Sequence, residues 1–131
     1  MKFLSQRLIN QLAGWLVLGV LALAMPLAAS ARNTPAPKPT VVLVHGAFAD
    51  SSSWNGVIKR LHDKGYTVIA AANELRSVNG DAVAVTSLVK SIHGPVVLVG
   101  HSYGGPVISV AATGQDNVKA LVYVAAFAPE V

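Results

Sequence analysis

No cysteine occurs anywhere in the 131 residues. That removes a disulfide framework, a thiolate metal site and a thiol nucleophile, and it leaves the redox compartment open. Charge is scarce as well, at 12% of the chain, with ten Lys and Arg against six Asp and Glu. No cluster of basic residues interleaved with aromatics exists, so the formal charge of +4 is not the footprint of a nucleic-acid binder. Neither Gly-x-x-x-x-Gly-Lys-Ser/Thr nor Gly-x-Gly-x-x-Gly follows any apolar run, which excludes the two common phosphate-cradling loops. Histidine is confined to His45, His62, His93 and His101, with none after position 101.

Apolar residues, by contrast, make up 53% of the chain and are unevenly spread. Lys2 and Arg7 precede a stretch from Leu12 to Ala29 without a strongly polar side chain, and Ala29-Ser30-Ala31 closes it. A positive front, an apolar middle and a small-residue exit predict a secretory signal peptide over residues 1–31. The alternative is an uncleaved membrane anchor over residues 12–29, because about 18 apolar residues reach the lower limit for spanning a bilayer. Pro26 and the Ala-Ser-Ala exit favour cleavage. Either way the following domain is expected to be exported, periplasmic or secreted, with membrane contact only through the leader. Without the leader, eight basic residues face six acidic ones, a net charge of +2. Pro35, Pro37 and Pro39 then remove alternate backbone donors and favour an extended linker over residues 32–39. Residues 40–131 remain for one small domain.

Within it, apolar and β-branched runs alternate with helical spacing. Thr40–Val44 is a strand buried on both faces, ending in His45-Gly46-Ala47-Phe48. Asp50, Ser51 or Ser52 caps a helix whose Trp54, Val57, Ile58 and Leu61 share one face, and Lys64-Gly65 closes it. Thr67–Ala71 is a second strand. A loop over residues 72–80 holds Asn73, Glu74 and Arg76; Asp81 is then expected to cap a second helix presenting Val85, Leu88, Val89 and Ile92. After Gly94-Pro95 come a third strand, Val96–Val99, a third helix from about Tyr103 to Thr113, and a fourth strand, Val118–Ala125. The fold class is therefore α/β: a parallel sheet of four strands with three helices distributed over both faces.

Gly100-His101-Ser102-Tyr103-Gly104 matches Gly-x-Ser-x-Gly. Average residue frequencies produce such a match by accident in about one chain in twenty of this length. Here it falls between a buried strand and a helix start, where the pattern has a mechanism. A sharp turn holds the serine in a strained conformation, and glycines flank it because the chain passes close to itself. The Ser102 hydroxyl then stands clear of the strand ends. An attacked carbonyl develops negative charge and needs backbone donors aimed at it. The Tyr103 N–H, directly after the serine, is one candidate. The Ala47 N–H is the other, with Gly46 expected to supply the sharp turn that frees it and His45 expected to brace the loop through hydrogen bonds.

Val41–Phe48, Ser53-Trp54, Gly65-Tyr66, Val96–Gly105 and Val122–Glu130 together resemble α/β-hydrolase-fold serine esterases. The likeness is to the small-esterase branch that includes plant methyl esterases and hydroxynitrile lyases, and it spans about Thr40 to Val131. It implies Ser102 as nucleophile, Ala47 and Tyr103 as oxyanion donors, and Phe48 with Phe127–Pro129 beside a pocket for a small ester-like substrate. It also implies a strand order of second, first, third, fourth, and neither metal nor organic cofactor. In that family the acid and then the catalytic histidine follow the serine along the chain. Here no histidine does, and Glu130 is the sole carboxylate after the fourth strand. His101, adjacent to Ser102 in a tight turn, points elsewhere; His62 and His93 belong to the surface. The expectation is a partial, C-terminally truncated hydrolase fold, weakly active or inactive, or one half of an assembly completed by a partner chain.

Overall fold

In a computed structural model, residues 36–128 are described. The leader, the start of the linker, Pro129 and Glu130 lie outside the described residues. The β-branched runs form strands β1 (Thr40–Val44), β2 (Val68–Ala71), β3 (Val96–His101) and β4 (Val118–Val124). Helices α1 (Asn55–Asp63), α2 (Val78–Ser91) and α3 (Gly104–Ala111) alternate with them, and a 3-10 turn over Ser51–Trp54 leads into α1. All pairings are parallel, in the order β2-β1-β3-β4. The register sets Val44 beside Gly100, and His101 beside Val124, so the ends of β1, β3 and β4 converge.

Alternation along each strand sends side chains to two cores. Val42, Val44, Val96 and Leu98 pack with Val85 and Val89 of α2 and Val107, Ile108 and Ala111 of α3. Val41 and Leu43 face the other way, against Trp54 with Ile58 and Leu61 of α1. This is why β1 is apolar at every position from Val41 to Val44: it is central, and both faces are covered there. β4 lies at one edge of the sheet. Its Leu121 and Tyr123 pack on the α2–α3 side, while Val122 and Val124 are exposed on the other. On the predicted face of the first helix Val57 is likewise exposed.

Two expectations about caps are resolved differently. Among the three candidates before the first helix, Asp50 caps only the 3-10 turn that leads into it, its Oδ1 accepting the Ser52 N–H at 2.7 Å, while α1 itself starts behind Trp54 with no side-chain cap. At the second helix the reading of Asp81 as cap is overturned. The helix starts at Val78, and Ser77 caps it in extended conformation, its Oγ accepting the Gly80 N–H at 3.1 Å. Asp81 lies inside the first turn and is only 3% exposed. Ser77→Ala is expected to lower stability by about 1 kcal/mol, measured as a shift in urea midpoint. An unchanged midpoint would show that the Ser77 bond contributes nothing net.

Candidate active site

β3 runs into Ser102 at φ 49°, a left-handed conformation that a residue with a side chain adopts only at a cost of about 1–3 kcal/mol. Two backbone bonds hold it there. Its N–H donates to the Val124 carbonyl at 3.1 Å, and its own carbonyl accepts the Gly105 N–H at 3.0 Å. Ser102 is exposed, and α3 begins two residues later at Gly104. The glycines are there for space. A Cβ on Gly100 would strike the backbone of Gly104, and one on Gly104 would strike the Val44 carbonyl oxygen at the end of β1. A Cβ on Gly105 would come within 2.6 Å of Ala126 Cβ, just beyond β4.

Gly46 plays a different part from the one expected. Its φ is not among the positive ones, so conformational freedom is not its use. The reason is close approach: a Cβ there would sit 2.9 Å from His101 Nδ1 and 3.1 Å from Ser102 Cβ. The loop after β1 is thus packed directly against the serine. Ala47 and Phe48, next in that loop, are exposed, Phe48 fully at 106%. Among the described residues, neither the Ala47 nor the Tyr103 N–H donates to another backbone group. Phe127 is also exposed, and with Val78, Pro106, Val110 and Ala128 it borders an apolar hollow of about 250 Å³ beside α3.

The histidines separate clearly. His45 is buried, with Nδ1 2.9 Å from the Gly46 carbonyl oxygen, while its own carbonyl accepts the Asn73 side-chain amide at 3.3 Å. It braces the loop after β1. His101 packs edge-on to Trp54, ring centroids 6.4 Å apart. His62 and His93 are exposed on α1 and after α2. Among the described residues no histidine bonds to the Ser102 hydroxyl.

One contact had no place in the sequence reading. The Tyr103 hydroxyl donates to Asp81 Oδ2 at 2.6 Å, and Asp81 Oδ1 accepts the Arg76 N–H at 3.2 Å. The hydrogen bond to Asp81, with burial and the carboxylate charge adding to it, pushes the Tyr103 phenol up to about 12. A signal for this was present: Asp81 precedes Val85 and Val89 by four and eight residues, on the apolar stripe of α2, where a solvated cap does not belong.

The family model for the alpha/beta hydrolase family matches residues 41–131. The chain belongs to the alpha/beta hydrolase family. It is 31% identical over 102 residues to a carbendazim hydrolyzing esterase of Nocardioides sp. (strain SG-4G), a match covering 68% of this chain and 42% of that protein. An alpha/beta hydrolase of Aspergillus novofumigatus, nvfD, is 30% identical over 113 residues, covering 72% of this chain and 45% of that one. Among solved structures, an extracellular alpha/beta-hydrolase from a Paenibacillus species superposes with a TM-score of 0.60 at 29% identity. That match covers 71% of this chain and 43% of the other. The chain therefore spans less than half the length of these relatives. Polyneuridine aldehyde esterase, at 24% identity and a TM-score of 0.65, shares the fold.

Proposed function

We propose that the chain carries the nucleophile half of an exported serine hydrolase acting on small carboxylic esters. The observation that carries this reading is Ser102 itself: exposed, held at positive φ between β3 and α3, with the Gly46 backbone packed against its Cβ. In this reading Ser102 Oγ attacks the ester carbonyl carbon as its proton passes to a base. The oxyanion is received by the Ala47 and Tyr103 N–H groups. Collapse of the tetrahedral intermediate breaks the bond to the alcohol oxygen, which leaves with a proton, and water then releases the acid from the acyl-serine. The relatives named as esterases support this chemistry, and the charge-then-apolar pattern of residues 1–31 supports export. Phe48 and Phe127 are then the apolar walls of the substrate site.

The base and its orienting acid are the parts these residues do not supply. His45 is occupied in the loop and His101 packs edge-on to Trp54, so in this reading both components come from a longer polypeptide or a completing partner chain. Serine without its base retains only the small part of catalysis due to binding and oxyanion stabilisation.

A fluorophosphonate probe, with peptide mass spectrometry to place the adduct, tests both statements. The 131-residue chain is expected to be modified at Ser102 slowly, and faster when imidazole is added as a diffusible base. It is expected to hydrolyse an activated aryl ester no faster than its Ser102→Ala variant unless imidazole is present. Failure of Ser102 to react even with imidazole defeats the nucleophile assignment. Full esterase turnover without imidazole defeats the claim that the base lies elsewhere.

A further inference from the structure

Tyr103 has two ends with different duties. Its N–H follows the nucleophile directly, and its hydroxyl is tied 22 residues back along the chain to a carboxylate at the start of α2. We infer that Asp81 is a positioning residue for the oxyanion site, holding the Tyr103 side chain so that the Tyr103 amide keeps its aim at the substrate carbonyl. The inference rests on the serine-hydrolase reading of Ser102.

Several observations lead there. Asp81 is 3% exposed, and burying a carboxylate is costly unless its oxygens are bonded. Both are: Oδ2 accepts from Tyr103, and Oδ1 from the Arg76 N–H. Ser77 already caps α2, so the helix does not need Asp81 for that purpose. The bond crosses from α2 to the elbow at a point where the backbone is under strain, with Ser102 at φ 49° immediately before Tyr103. Tyr103 itself enters α3 with φ −52° and ψ −31° and no side-chain cap, so the peptide carrying its N–H is otherwise held by one hydrogen bond, from the Gly105 N–H to the Ser102 carbonyl at 3.0 Å. A short, charge-assisted bond is among the stronger kinds available to fix such a group. Freeing the ring leaves the elbow folded, because Gly100, Gly104 and the bonds of Ser102 remain, but leaves the Tyr103 amide free to tilt about the single Gly105–Ser102 bond that still holds its peptide.

The test compares the parent chain with Asp81→Ala, Asp81→Asn, Tyr103→Phe and the Asp81→Ala/Tyr103→Phe double variant in imidazole-assisted fluorophosphonate labelling. Affinity for the probe is separated from the rate of bond formation by varying probe concentration. Asp81→Ala and Tyr103→Phe are each expected to slow bond formation about 10- to 100-fold with probe affinity unchanged, up to the effect of a reacting group misplaced by about 1 Å and short of the full loss of an oxyanion donor. The double variant is expected to be no slower than either single one, since both break the same bond. Asp81→Asn retains an amide that can bond the phenol and is expected to recover most of the rate. Ultraviolet titration of the phenols reports the contact independently: the component near pH 12 is expected to vanish in Tyr103→Phe and to move down in Asp81→Ala. Circular dichroism confirms that each variant is folded; Tyr103→Phe removes only a hydroxyl and keeps the test available if Asp81→Ala unfolds. Unchanged bond formation in folded Tyr103→Phe overturns the inference, as does a loss confined to probe affinity. If the parent chain never labels at Ser102, the hydrolase reading fails and the positioning role goes with it.

Discussion

Gly104→Ala is expected to destabilise the domain by at least about 3 kcal/mol, the upper part of the range for forcing extra volume into packed structure. The new methyl group would collide with the Val44 carbonyl oxygen and lie 3.0 Å from the His45 carbonyl oxygen. Both obstacles are backbone: Val44 is fixed by the pairing of β1 with β2 and β3, and the His45 carbonyl, the next residue, is held by the Asn73 side-chain amide, so neither can swing aside. The first turn of α3 must instead lift from the sheet, taking Val107 and Ile108 out of the core they share with Val44 and Leu98. Against the total of about 5–15 kcal/mol that holds an ordinary domain together, that loss is large. Gly56→Ala supplies the contrast. It lies in α1 with nothing within 4 Å of the added carbon, so relief of backbone freedom in the unfolded chain dominates. There the same substitution is expected to stabilise by about 0.5–1 kcal/mol. Urea unfolding followed by circular dichroism reads both, and a Gly104→Ala midpoint equal to that of the parent would show that the elbow is not clamped by β1.

What could be read from the residues alone divides along a physical line. The strands were legible because β1 and β3 are central: β1 is buried from Val41 to Val44 and β3 alternates buried with half-buried positions, so the runs Val41–Val44 and Val96–Val99 are apolar throughout and announce themselves without reference to any other part of the chain. The elbow was legible because its demands are local, three glycines around one serine within six residues. The parallel α/β sheet with helices on both faces followed from alternation alone. The order β2-β1-β3-β4 followed from the resemblance, since no local pattern states which strand crosses over which. Asp81 was misread for the complementary reason. A carboxylate near a helix start is commonly a cap, and what set it apart was a partner 22 residues away. Gly46 shows the same limit. Its position in the loop is evident from the sequence, which suggests a turn as the cause, whereas the cause is the side of His101 and Ser102 arriving from the neighbouring strand. Contacts between strand ends are made by the sheet, and nothing in either segment encodes them by itself.

That close approach gives the second large effect, and it falls on chemistry instead of folding. Gly46→Ala is expected to leave the domain folded, with a stability loss of about 1 kcal/mol, the low end for a small overpacking. One of the atoms its Cβ would meet is the Nδ1 end of the His101 ring, which can rotate away from Trp54; the other is Ser102 Cβ, which cannot yield. Ser102 is held on both sides by its bonds to Val124 and Gly105, so the loop after β1 must retreat by a few tenths of an ångström. The Ala47 N–H retreats with it. Imidazole-assisted labelling of Ser102 should then fall by about 10²-fold, the effect of losing one oxyanion donor, while the unfolding midpoint barely moves. Gly104→Ala and Gly46→Ala thus separate two duties that the same small residue performs at the ends of adjacent strands, one at the start of α3 and one in the loop after β1. The first lets the sheet and helix close. The second lets the loop after β1 lie against Ser102, and a folded Gly46→Ala chain that labels at the parent rate would mean that the Ala47 amide takes no part in receiving the charge.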